Sequence, residues 1–149
     1  MRNFFRELAM NKVLWTSLSA WLIAQFLKGA FDFIKEKRIN FKRFTGAGGM
    51  PSSHSALVAS LATAVGIKLG WDNVLTAVAL VFAVIVMYDA AGVRLAAGRQ
   101  AVTLNKIVDE IFEEGEFHHE RLKEFLGHTP VEVIAGAALG IVMAIILMK

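Results

Sequence analysis

Four apolar stretches, residues 13–34, 56–69, 74–93 and 130–148, dominate a chain of 149 residues. A stretch of about 20 apolar residues is what a helix needs to cross the roughly 30 Å hydrocarbon core of a bilayer. Inside that core each backbone N–H and C=O must find its partner within the protein, which leaves the helix as the solution for segments of this length. The sequence therefore predicts an all-α fold: a polytopic membrane bundle of about four transmembrane helices, forming a single integral membrane domain over 1–149. With 56% hydrophobic residues, the chain is too apolar for an ordinary soluble domain of this size. Cysteine is absent, so neither disulfides nor thiolate metal sites are available. The formal charge is +3 and the basic residues are grouped. That pattern suits a membrane surface or a phosphorylated ligand, and no nucleic-acid motif accompanies it.

Between and within the spans the polar residues are patterned. Residues 1–12 place Arg2, Arg6 and Lys12 among Phe4, Phe5, Leu8 and Met10, a short amphipathic start suited to the interface. It does not read as a signal peptide, because the apolar run that follows lacks an evident small-residue cleavage site and exceeds a typical h-region. The first span has Trp15 and Trp21 near its start and Gln25, Lys28 and Asp32 along one face. Two readings of that face stay open: a stripe turned to the bundle interior or a wet cavity, or a lysine snorkelling to the interface with Asp32 as its i+4 partner. Asp89, about a turn inside the third span, needs a partner or a role. Residues 97–126 are amphipathic, with Leu104, Ile107, Val108, Ile111 and Phe112 at helical spacing and Asp109, Glu110, Glu113, Glu114 and Glu116 opposite. This predicts an interfacial helical segment broken near Gly115. His118-His119-Glu120 lacks the HExxH spacing, and adjacent histidines diverge on a helix, so it reads as a solvated face and no metal or other cofactor is expected. Gly136 and Gly140 form a GxxxG pair that serves either homo-oligomer formation or packing within the chain.

Chemistry concentrates at two span entrances. Gly48-Gly49-Met50-Pro51-Ser52-Ser53-His54-Ser55 combines hydroxyls, a histidine and bare backbone at the mouth of the second apolar stretch. Pro51 suits the first turn of a helix, and Gly49 lets backbone approach a ligand. The first N–H groups of that helix form an anion site at the positive end of its dipole. Ser52 and Ser53 add hydroxyl donors, and His54 can carry a proton near neutral pH. The basic run Lys35, Lys37, Arg38, Lys42 and Arg43 leads into this loop. At the last span, His128 and Glu132 stand four apart across a helix start marked by Pro130, so a carboxylate can orient the imidazole as a nucleophile or general base requires. Counting spans puts the Gly-rich loop, Arg94 and His128 on one membrane face.

GGMPSSHSA at 48–56, YDAAGVRLAAGRQA at 88–101 and LGHTPVEVIAG at 126–136 resemble the divergent branch of the type-2 phosphatidic acid phosphatases, the acid phosphatase/vanadium haloperoxidase-related membrane proteins. The resemblance covers the chain from about Ala20 to its end. It implies metal-independent hydrolysis of lipid phosphates through a phosphohistidine, with membrane lipid as surroundings and a lipid phosphate as substrate. PSSH resembles the superfamily's PSGH, so Ser52 and Ser53 would bind phosphate and His54 would protonate the leaving oxygen. His128 to Glu132 resembles HxxxD, making His128 the nucleophile and Glu132 its orienting carboxylate. Three features depart from the pattern, the first being Glu132 in place of Asp, which lengthens the arm holding His128. In place of KxxxxxxRP, Lys35 and Lys42 keep the spacing without arginine or proline, and the Ser-Arg before the nucleophile is missing, with Arg121 one position out of register and Leu122 in its place. Arg94, with Lys42 or Arg43, is the expected substitute, and Lys28 and Asp89 are candidates for support. The competing function is a non-catalytic lipid-phosphate binder or transport component that keeps the cradle. The site face carries ten Lys and Arg residues, against Arg2, Arg6, Lys12 and Lys149 at the other ends. The expectation is a cell (plasma) membrane protein with its site face cytoplasmic.

Overall fold

The computed structural model describes residues 2–36, 49–111 and 127–149. All regular structure among them is helical: α1 (Arg2–Ala9), α2 (Lys12–Glu36), α3 (Ser53–Leu69), α4 (Val74–Ala91), α5 (Val93–Ile111) and α6 (Pro130–Leu147). The expected all-α membrane bundle is the observed class. Among the described residues, two helical stretches suffice by length and apolarity to cross a membrane, Val74–Asp109 (α4 continued past Gly92 into α5) and α6, while α3 is apolar but shorter at 17 residues.

The helix ends follow from local chemistry. Asn11 separates α1 from α2, its side chain accepting the Leu14 N–H at 3.1 Å. Ser52, in extended conformation, caps α3. The helix therefore starts at Ser53, three residues before the apolar run, and Pro51 precedes the cap instead of occupying the first turn. Gly70 ends α3 at φ +98°, where a side chain would be strained. Asn73 starts α4 by accepting the Leu75 N–H at 2.9 Å, which makes 70–73 the expected tight connection. Gly92 caps α4 and donates its N–H to the Tyr88 carbonyl at 2.8 Å, so the third apolar stretch breaks there and the following helix begins at Val93, earlier than the expected 97. The part of the 97–126 segment beyond Ile111, with its His118-His119-Glu120 motif and Arg121, lies outside the described residues.

Packing is inverted relative to a soluble domain. The buried apolar residues are mainly alanines, Ala20, Ala24, Ala56, Ala59, Ala62, Ala64 and Ala144 among them, whereas Phe26, Val78, Phe82, Ile85, Ile134 and Ile146 are exposed. Small residues inside and large apolar residues outside are the arrangement of helices that pack in lipid. The central helix is α3, which packs on α2, α4 and α6; α6 also meets α2 and touches α4. A Cβ on Gly136 would collide with the Ser52 carbonyl, and one on Gly140 with that of Ala56. The GxxxG pair thus serves the α3–α6 contact within the chain. Lys12 Nζ donates to the Lys149 carbonyl at 3.4 Å, bringing the start of α2 beside the end of α6. At the opposite end of the bundle the start of α3, the end of α4 and the start of α6 come together.

Candidate active site

The two span entrances are joined through their backbones. Ser52 donates its N–H to the carbonyl of Glu132 at 3.0 Å, and His128 donates its N–H to the carbonyl of Ala90 at 3.1 Å. The first bond ties the start of α3 to the first turn of α6; the second ties the 127–129 loop to the last turn of α4. The first bond depends on close approach of α3 and α6, which the bare Cα of Gly136 against Ser52 permits.

Around Ser52 the hydroxyls are ordered. Its Oγ accepts from the Ser55 N–H at 3.4 Å and from the Ser55 hydroxyl at 3.0 Å. Two accepted bonds use both lone pairs and leave the Ser52 O–H as a donor. Ser52, Ser53 and Ser55 are all buried, whereas His54, the second residue of α3, is exposed. The N-terminus of a 17-residue helix thus lies at the base of the loop.

His128 is 4% exposed, and its Nδ1 lies 3.1 Å from Glu132 Oε2. The same carboxylate oxygen accepts the Thr129 N–H at 3.0 Å, while Thr129 Oγ accepts the Glu132 N–H at 3.4 Å. Glu132 therefore closes a capping box and holds the imidazole with one oxygen. A carboxylate only accepts, so Nδ1 carries a proton, and in the neutral imidazole Nε2 presents its lone pair. Thr129 was not singled out from the sequence, although Thr129-x-x-Glu132 just before an apolar run is the capping-box signature.

Lys28 on α2 faces the bundle: it is 5% exposed, on the stripe Thr16, Ala20, Ala24 and Lys28. Gly49, at φ +93°, lies beneath its stem: a Cβ there would stand 2.7 Å from Lys28 Cε. Its side chain thus packs at Gly49 of the Gly-rich loop; the Asp32 side chain, its i+4 partner in the snorkelling reading, lies outside the described set. The spacing of Lys35 and Lys42 is repeated by Lys28 and Lys35, a signal in the sequence that pointed to this residue. Asp89 is half-buried on the last turn of α4, beside the Ala90 carbonyl that holds His128. Arg94 is the second residue of α5, and its side chain is outside the described set, as are Lys42 and Arg43 entirely. Among the described residues no group of three or more His, Cys, Asp or Glu is placed to hold a metal ion.

Residues 9–143 match the family model described as the divergent PAP2 family. The chain belongs to that family. This divergent PAP2 protein is also 41% identical over 152 residues to YuiD of Bacillus subtilis (strain 168), an uncharacterized membrane protein, with 95% of this chain and 96% of the relative covered. No solved structure matches it. The resemblance drawn from the three motifs is thereby established as family membership, and the protein is a phosphatase-related membrane protein. As a divergent PAP2 chain it keeps a histidine–carboxylate pair and a serine-capped helix start within one backbone-bonded unit.

Proposed function

We propose that the protein is a metal-independent lipid phosphate phosphatase working through a phosphohistidine. The observation that carries this reading is the Nδ1 contact of His128 with Glu132, held in a turn whose Glu132 carbonyl takes the Ser52 N–H. An imidazole oriented at Nδ1 offers Nε2 as nucleophile, and the start of α3 supplies donors for the phosphoryl oxygens. In the first step Nε2 of His128 bonds to phosphorus, the bond from phosphorus to the lipid oxygen breaks, and His54 gives its proton to that oxygen. In the second, His54 takes a proton from water, the hydroxide attacks phosphorus, and the P–N bond breaks to release phosphate and free His128. Ser52, Ser53 and the Gly49 backbone bind the equatorial oxygens, with Lys28 beside Gly49 and Arg94, Lys42 and Arg43 as further cations. The four apolar helices α2, α3, α4 and α6 all span in this reading, with the site face cytoplasmic in the cell membrane.

Phosphate release from a panel of lipid phosphates, with chelator present, tests the proposal. Turnover that persists in chelator and disappears with His128→Ala or vanadate supports it; a His128→Ala protein as active as the parent refutes it. The second reading is a non-catalytic lipid-phosphate binder, favoured by the burial of His128 and by the departures from the superfamily's arginine pattern. It predicts that lipid phosphates raise the melting temperature without being hydrolysed.

A further inference from the structure

The helices packed on α3 leave one side of it open. On one flank Gly140 of α6 packs at Ala56 and Ser60, and the Ser60 hydroxyl donates to the Thr16 carbonyl of α2 at 3.5 Å. On another flank Val58 and Ala62 cluster with Ala83 of α4. At about 100° per residue, these contacts leave the sector that carries His54, Leu57, Leu61, Val65 and Lys68. Burial agrees: Leu57, Leu61 and Val65 are half-buried and His54 exposed, while the α3 residues on the other flanks are buried as far as Gly66, after which Ile67, Lys68 and Leu69 are all exposed. Nor do α2 and α4, the helices on either side of this sector, contact each other among the described residues. The result is a groove with an apolar floor, open sideways and running down α3 from the candidate active site.

We propose that this groove seats the hydrocarbon chain of a single lipid phosphate whose headgroup sits at the start of α3; the inference rests on reading that loop as a lipid-phosphate site. The two ends of the groove differ as such a ligand requires. At its head stand His54, the helix N-terminus and Lys28 over Gly49, a polar end complementary to phosphate. Below it the floor is apolar for three successive turns. From His54 to Val65 the helix rises about 16 Å at 1.5 Å per residue, which is close to one leaflet, half of the roughly 30 Å hydrocarbon core. Lys68, less than one turn further on, ends the apolar floor. A chain lying there is held by the protein on one side and is continuous with the bilayer on the other, so the lipid enters laterally without leaving the membrane.

The test compares ligands that share a head and differ in the tail, glycerol 3-phosphate and oleoyl lysophosphatidate, binding to the full-length protein in nanodiscs. For the parent, the chain raises affinity by tenfold or more. Leu61→Trp fills the floor and lowers that ratio by about tenfold, equivalent to lost burial of roughly two methylenes. Val81→Trp, on the exposed outer face of α4, leaves the ratio as in the parent. An unchanged ratio in Leu61→Trp, or an equal loss in Val81→Trp, overturns the proposal. If Leu61→Trp does not fold, a lysophosphatidate with a photoreactive diazirine in its tail is used on the parent protein. Adducts on the α3 peptide carrying Leu57 to Val65 support the groove, and adducts confined to the outer face of α4 overturn it. Neither readout needs turnover. Chain-dependent binding without phosphate release keeps the groove and loses the phosphatase reading; turnover with no chain dependence does the reverse, and no binding of either ligand overturns both.

Discussion

At the residue scale, Glu132 does two jobs that substitution separates. Its Oε2 holds His128 and accepts the Thr129 N–H, so its charge serves the imidazole while its acceptor serves the helix cap. Glu132→Gln keeps an acceptor and removes the charge. Its expected effect is a fall in kcat of about 10²-fold with little change in melting temperature, measured by phosphate release and thermal unfolding. Thr129→Ala does the opposite, losing about 1 kcal/mol of stability while the His128–Glu132 contact and most activity survive. Lys28→Met retains a stem of similar length over Gly49 and removes the ammonium. Vanadate binding by this variant is expected to weaken about tenfold, roughly 1.4 kcal/mol; unchanged binding would remove Lys28 from the phosphate site. The contact of His128 with Glu132 was legible as an i,i+4 pair because helix geometry fixes such neighbours. The contact of Lys28 with Gly49 was not, since it joins residues 21 apart through a fold that periodicity does not specify.

At the element scale, the α3–α6 contact positions the site. Gly136 lies against the Ser52 backbone and Gly140 against Ala56, so the register of these two helices fixes the Ser52 to Glu132 hydrogen bond. Gly140→Val forces the helices apart and is expected to lower stability by about 1–3 kcal/mol and to reduce activity, read from melting temperature and phosphate release on the same preparation. A variant as stable and as active as the parent would contradict the packing. Sequence reading located the apolar runs well, because hydropathy reports which residues tolerate lipid. It located their ends less well. The start of α3 is set by the Ser52 cap and not by apolarity, and the break at Gly92 falls inside a run that is apolar on both sides. The GxxxG pair was visible, but a small-residue face is the same for a partner within the chain as for one outside it.

On the scale of the whole molecule, the antiparallel arrangement gathers the ends of α4 and the starts of α3 and α6 at one face, with Lys12 and Lys149 at the other. The absence of native cysteine makes orientation directly measurable. With the site face cytoplasmic, a Lys149→Cys variant in intact cells reacts with an impermeant maleimide, whereas Lys106→Cys on α5 reacts only after permeabilisation. The reverse pattern would place the site outside. The proposed phosphatase cycle requires His128 to become phosphorylated during turnover. The most direct measurement is rapid quenching of the protein with a lipid phosphate, in chelator and under conditions that preserve P–N bonds, followed by mass spectrometry of the peptide that contains His128. Phosphate on His128, absent when vanadate is added first and absent in His128→Ala, is the predicted result. Phosphate released at the normal rate with His128 never modified would contradict it.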